Sequence, residues 1–493
     1  MHLIDRIRAL RHLDTGPEKF RDAGGPVTLV HIGPARWAPT FAIVTSPQGA
    51  HDVLGGFDGS FDKEMTVHVE GRVWVGDNLF NLPHDSWVPH RRALQPLFTK
   101  KHVAVYADRI AEVADTMAAE WSEGGSIDLD TETRRLTLRV LGRSLFGTDL
   151  SEKSEAVGVP LGQVVQFVGR RALQPIRTPT WLPTRARHRF RVSLAVVTET
   201  LDEAMDAARS GAGNGAELIK LFFELTDPVT GRAFSDEKIR DELLAFLFAG
   251  HDTTATTLAY SLWQLGRNRE MQERVAREAA AIGDRLLRAS DIGDLPYTVQ
   301  IVHESLRICP PAATAARMAM RDVEVDGYRI PAGTNTIVGT YALHHDPSLW
   351  DEPEKFDPDR FAPGQSVDRS RWQYLPFGGG PRTCIGDHFA MLEAILGLAQ
   401  CGAKTRGGIP SRRFSGKDAV HLGRGRTRAR ACGDQSRRCV VVGKGRQVRR
   451  AALIGTGQDG GHADHTPDLR VLRCRFRHPR RGVRPRLRRH PHG

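Results

Sequence analysis

The 493-residue sequence has no long hydrophobic run. Its longest apolar stretch, Leu243 to Gly250, runs into His251 and Asp252. A membrane helix takes about 20 apolar residues. No signal-peptide core stands near Met1 either, because Asp5, Arg6, Arg8, Arg11, His12 and Asp14 interrupt it. Together these absences predict a soluble, cytoplasmic protein. Cysteine is scarce. The six cysteines form no obvious paired framework, which fits a reducing compartment. No glycine-rich loop opens a βαβ unit, so no dinucleotide site is expected. There are no internal repeats.

Acidic residues are nearly missing from one end. Residues 401–493 hold 22 Arg and 3 Lys against 5 Asp and no Glu. The first 400 residues hold 45 basic and 53 acidic side chains, so the net charge of +12 comes entirely from that end. Amphipathic periodicity also fades after Leu398, and Arg, Gly, His and Pro dominate. The expected division is a folded domain over 1–400 and an atypical basic tail over 401–493. The tail's composition suggests a largely disordered segment, or GC-rich DNA read out of frame. A basic arm for nucleic acid or an anionic membrane is the rival reading of the tail. No nucleic-acid partner is expected.

What is present is a mostly helical body with 40% hydrophobic residues. Strand-like runs, Val27 to Ile32 and Phe41 to Thr45, come early. Ser46-Pro47 then opens a helix. From about residue 85 to 310 the pattern is helical. Ser235 is a plausible cap for a long apolar helix over Ile239 to about Leu265. A second helix, Tyr297 to Ile308, is stopped by Pro310-Pro311. Short strands follow around Val323 to Ile330. A Pro-, Asp- and aromatic-rich stretch, Asp346 to Pro376, reads as ordered irregular chain.

Four segments carry candidate chemistry. The first is Phe377-Gly-Gly-Gly-Pro-Arg-Thr-Cys-Ile-Gly386, a cysteine in a glycine-rich loop ahead of a helix over Asp387 to about Ala399. A buried structural cysteine is the bland reading. The second is Ala249-Gly-His-Asp-Thr-Thr254, polar residues midway along an apolar helix. Such groups are costly there unless used, and paired threonines are poor helix formers. Either Thr253 opens the local ladder and holds a water, or the hydroxyls bond back to the preceding turn. The third is Glu304-Ser-Leu-Arg307, whose spacing puts both charges on one helix face. By itself it reads as a surface ion pair. Arg360, in Pro353-Glu-Lys-Phe-Asp-Pro-Asp-Arg-Phe361, follows it. The fourth is Trp87-Val-Pro-His-Arg91, an aromatic anchor beside a solvated Arg on the bland reading.

The cysteine loop resembles the haem-binding signature of the cytochrome P450 family at Phe377, Gly380, Arg382, Cys384 and Gly386. The other segments resemble the same family's motifs in the same chain order, over about residues 25–398. The resemblance implies a mainly α fold with a small β region around a buried haem b. Cys384 would be the axial thiolate, which favours O–O cleavage. Glycines let backbone N–H groups approach its sulfur, and the helix N-terminus favours its charge. Trp87, Arg91, Arg317 and Arg382 would hold the haem propionates. Asp252 and Thr253 would manage protons. Glu304, Arg307 and Arg360 would form a buried structural network. The implied activity is a monooxygenase inserting one oxygen atom from dioxygen into a small apolar substrate, such as a fatty acid, terpenoid or sterol. Electrons would come from a ferredoxin or flavodoxin with an NAD(P)H-dependent reductase. Two other readings stand beside it: a member that rearranges or uses peroxide, and a non-catalytic product of a damaged gene. The family's hairpins after the cysteine helix have no clear counterpart in 401–493.

Overall fold

A computed structural model describes residues 1–404, apart from 34–38, 123–126, 148–153, 173, 175–176, 212–216 and 228–230. The chain divides after Ala431, and the described residues all lie in the first unit. The expectations for a tail over 405–493 fall outside them.

Helices dominate, and a small sheet sits to one side. The long central helix, Asp236–Arg267, starts where Ser235 Oγ accepts from Lys238 N–H at 3.2 Å. Asp236 and Glu237 then face its positive end. The helix crosses the Leu129–Leu141 helix so closely at Gly250 that an added Cβ would lie 2.9 Å from Leu141 Cδ2. The Pro296–Ile308 helix and the Asp387–Lys404 helix also pack on it, and their apolar faces share one core. The Asp387–Lys404 helix runs further than expected. It continues through Gln400 and Cys401 because both are buried, with Gln400 Nε2 donating to Asp115 Oδ1 at 2.6 Å.

The main sheet has the order β1-β2-β7-β4-β3: β1 is Val27–His31, β2 Thr40–Val44, β3 Phe61–Asp62, β4 Ala315–Ala319 and β7 Asn335–Val338. Among the described residues only β2 and β7 pair in parallel. A separate hairpin joins β5, Val323–Val325, to β6, Tyr328–Ile330. Its turn, Asp326-Gly327, takes positive φ at both residues, the geometry that suits a tight hairpin. The sheet matters to the site because β3 and β4 carry Asp62 and Arg317 to one place.

Candidate active site

The segment from Phe377 folds as a tight loop that presents Cys384. Cys384 N–H donates to Phe377 O at 2.9 Å, and Thr383 N–H to Gly380 O at 3.1 Å. Phe377 itself packs against the main core. Gly380 needs to be glycine twice over: its φ is +68°, and a Cβ would stand 1.9 Å from Leu54 O. The Gly386 backbone N–H bonds to the Cys384 thiol. A Cβ on Gly386 would meet no atom within 4 Å, so that side of the loop is open. Cys384 lies in a cleft of about 370 Å³, with Phe57, Trp87, Arg91, Asp387 and His388 among its walls. Cys384 is exposed to this cleft, and the partial loss of water around the thiol pushes its pKa up, against the Gly386 bond that lowers it.

Beside this loop stands an unusual group of buried cations. Lys63, Arg317 and Arg382 are all nearly inaccessible. Arg382 donates to Leu82 O at 2.9 Å and to Asp62 Oδ1 at 2.7 Å, and its guanidinium lies 4.5 Å over the Trp87 ring. Arg317 donates to Ala316 O, and burial followed by the Arg382 charge brings its pKa down to about 10. Lys63 donates from Nζ to Phe80 O. Burial, then Arg317 and Arg382, hold it well below the ordinary lysine value, and Arg91 adds to the effect. His68 is buried next to the same charges; desolvation and Lys63 push it down to about 2, and its Nδ1 has no partner. The carboxylate that Lys63, Arg317 and Arg382 share is Asp62. Three buried cations sharing one acid are stable only beside more negative charge. A group bearing two carboxylates on a flat macrocycle fits: its acids would meet the cations, and its face the open side of Gly386.

The sequence profile described as cytochrome P450 matches residues 7–401. The chain belongs to the cytochrome P450 family. It is 34% identical to cyclooctatin synthase of Streptomyces melanosporofaciens, over 70% of this chain and 76% of that protein. Cyclooctat-9-en-7-ol 5-monooxygenase of the same organism is 31% identical, over 78% and 83%. Leukotriene-B4 omega-hydroxylase 3 of Mus musculus is 32% identical, over 68% and 70%. This cytochrome P450 is therefore a monooxygenase, and its cofactor is haem b. The mostly helical fold with a small sheet is that of the family. Among the described residues no helix is long and apolar enough to cross a membrane.

The central helix of this P450 differs in detail from expectation. It is unbroken through Ala249–Thr254. Thr253 Oγ1 donates back to Ala249 O at 2.6 Å, as Thr256 does to Asp252 O and Thr257 to Thr253 O. The opened ladder is thus not there; the hydroxyls satisfy the carbonyls of the preceding turn. The Asp252 carboxylate is ion-paired with Arg134 of the Leu129–Leu141 helix. Neither Asp252 nor Thr253 lines the Cys384 cleft. His251, fully packed, bonds Thr137 Oγ1 at 3.2 Å, and burial lowers it to about 4.

Glu304 and Arg307 form a two-pronged pair at 2.7 and 2.8 Å with no exposed side-chain surface. Arg360 Nε adds a contact to Glu304 Oε1 at 3.6 Å. Arg307 also donates to His344 O and Pro353 O, each at 2.8 Å.

Sequence reasoning missed three residues. Lys63 and His68 had only a faint signal, since Lys63 follows the two-residue strand Phe61–Asp62 and His68 sits in the Thr66–Val75 helix, both away from any motif. Glu393 is fully buried beside Thr254, and burial raises its carboxyl well above the usual range. Its signal was a lone acid in the apolar run Leu392-Glu-Ala-Ile-Leu396.

Proposed function

We propose that this P450 inserts one oxygen atom from dioxygen into a small, largely hydrocarbon substrate: a fatty acid, terpenoid, sterol or a cyclic alkenol like the one named for its Streptomyces relative. The buried cation cradle beside the Cys384 loop is the observation that carries the reading. Haem bound there supplies the iron at which dioxygen is activated. The remaining work belongs to the chain. Cys384 would supply the thiolate that holds the iron, with the Gly386 N–H tuning its basicity. Arg91, Arg317, Arg382 and Trp87 take the propionates, and Lys63 and His68 join them. Asp252 moves protons through its carboxylate once it leaves Arg134, and Thr253 passes one on from Oγ1. Phe377 and Gly380 shape the loop, while Glu304, Arg307 and Arg360 keep it in place. This catalytic domain spans 1–400, the protein works in the cytoplasm, and a ferredoxin or flavodoxin with its NAD(P)H-dependent reductase supplies electrons.

Turnover tests the reading. The chain is combined with ferredoxin, reductase, NADPH and labelled dioxygen, and offered cyclic alkenols and fatty acids. One labelled oxygen per product molecule is expected, and Asp252→Asn should slow product formation by about a hundredfold or more. Product that forms only with peroxide, or without label from dioxygen, overturns it.

A further inference from the structure

Glu242 is a buried acid that neither the cysteine loop nor the cation cradle explains. It lies in the central helix with no exposed surface. Its carboxylate accepts the Leu79 N–H at both oxygens, 3.0 and 3.1 Å away, and Oε1 bonds His90 Nε2 at 2.6 Å. Burying a carboxylate is costly unless its oxygens are bonded, and these bonds join three separate parts of the chain.

The first part is the central helix itself. Ala249 and Thr253, at i+7 and i+11 from Glu242, continue the same face, and both are partly exposed there. The second is the loop over 76–83, which links the Thr66–Val75 and His84–Leu94 helices. It starts against the central helix, where a Cβ on Gly76 would collide with the Asp241 carboxylate, and Lys238 Nζ donates to Asp77 O at 2.8 Å. Its far end reaches the cradle. Phe80 O accepts from Lys63, Asn81 O from Arg72 at 2.8 Å, and Leu82 O from Arg382 at 2.9 Å. The third is the His84–Leu94 helix, which carries Trp87 and Arg91 to the Cys384 cleft. His90 is buried on this helix and stacked on Phe234, with ring centres 5.3 Å apart.

The loop is therefore strung between two anchors, its Leu79 N–H on Glu242 and its carbonyls on the cations beside the Cys384 loop. A wall held from both sides is set before any ligand arrives, so a ligand that touches it loses no affinity in ordering it. We propose, on the reading that haem occupies the cradle, that Glu242 and His90 are positioning residues. They hold the 76–83 loop as a fixed wall of the substrate space in front of Ala249 and Thr253.

Azoles test this without a known substrate, because their nitrogen binds haem iron and shifts the Soret band. The haem-loaded full-length chain is titrated with imidazole and with the bulkier 4-phenylimidazole. In Glu242→Ala and His90→Phe the phenyl ligand should bind about tenfold more weakly, the scale of one buried hydrogen bond, while imidazole binds as before. His90→Phe keeps the stack on Phe234, so it serves where Glu242→Ala does not fold. Glu242→Gln keeps an acceptor oxygen for the Leu79 N–H and should recover most of the lost affinity. Ser235→Ala weakens the same helix at its cap, away from these bonds, and should change neither affinity. In the haem-free chain, amide exchange over 78–82 should quicken in Glu242→Ala and His90→Phe but not in Ser235→Ala. The proposal is overturned if those two variants bind both azoles as the parent does, if both azoles weaken equally, or if Ser235→Ala behaves like them. A parent whose Soret band moves with neither azole removes the haem reading and the proposal with it. A parent that shifts while its variants match it removes the proposal alone.

Discussion

The protein holds two buried charge clusters, and they are built on opposite principles. In the Glu304 cluster, every prong of Arg307 has a partner: both Glu304 oxygens and the carbonyls of His344, Pro353 and Lys355. In the Asp62 cluster, Lys63, Arg317 and Arg382 crowd one shared carboxylate, and two of the three rest on single backbone carbonyls. The first cluster is closed and complete in the protein alone. The second is complete only with an anion added. A buried cluster with balanced charge holds a fold together, whereas an unbalanced one marks where a ligand belongs.

The largest effect should come from opening the closed cluster. Glu304→Gln leaves Arg307 and Arg360 buried without a counter-charge. It is expected to lower stability by about 3–5 kcal/mol, read as a fall in urea midpoint. The open cluster should respond in the other sense. Arg317→Met removes one of three mutually repelling cations, so the haem-free protein should be as stable as its parent or more so. The same change should weaken haem retention by roughly tenfold or more, the scale of one charged hydrogen bond. Transfer of haem to apomyoglobin measures the second effect. If both clusters lose stability equally in the haem-free form, the contrast between them is broken.

Acid should act on the closed side. His344 accepts Leu375 N–H at Nε2, 2.8 Å, while its Nδ1 faces Arg307 O at 3.1 Å. Those bonds require a neutral ring, and burial lowers its pKa to about 3. The unfolded chain takes the proton near 6.5, so between these values the unfolded state binds more protons. Stability is then full above about pH 6.5 and falls as pH drops, by about 1.4 kcal/mol per unit from this one ring. Urea titrations at a series of pH values should show a shallower acid decline in His344→Gln than in the parent. The smallest effect belongs to a site remote from both clusters. Ser235→Ala removes the cap of the central helix and should cost about 1 kcal/mol without altering haem retention.

Much of this was legible in the sequence because motifs are local. The order Trp87, Ala249–Thr254, Glu304, Arg360, Cys384 pointed to the family, and Ser46, Ser235 and the proline stop after Ile308 placed helix ends. The cradle was less legible. Lys63 and His68 approach Arg317 and Arg382 only because β3 pairs with β4 and the Thr66–Val75 helix turns back over them. No spacing rule records a meeting across that distance in the chain. The state of the central helix was open for a different reason. A threonine hydroxyl can bond back or hold a water at nearly equal cost, so Thr253 did not decide it from residue type. The helix past Ala399 was misjudged because Gln400 and Cys401 look like a break, yet both are buried against neighbours.

The most direct test of the account is the carbon monoxide difference spectrum of the purified, dithionite-reduced full-length chain. It predicts a strong red-shifted Soret band, the mark of a thiolate from Cys384 on the iron, and its disappearance in Cys384→Ala. A band at the position of an ordinary neutral-ligand haem, or a parent chain that takes up no haem, would contradict it.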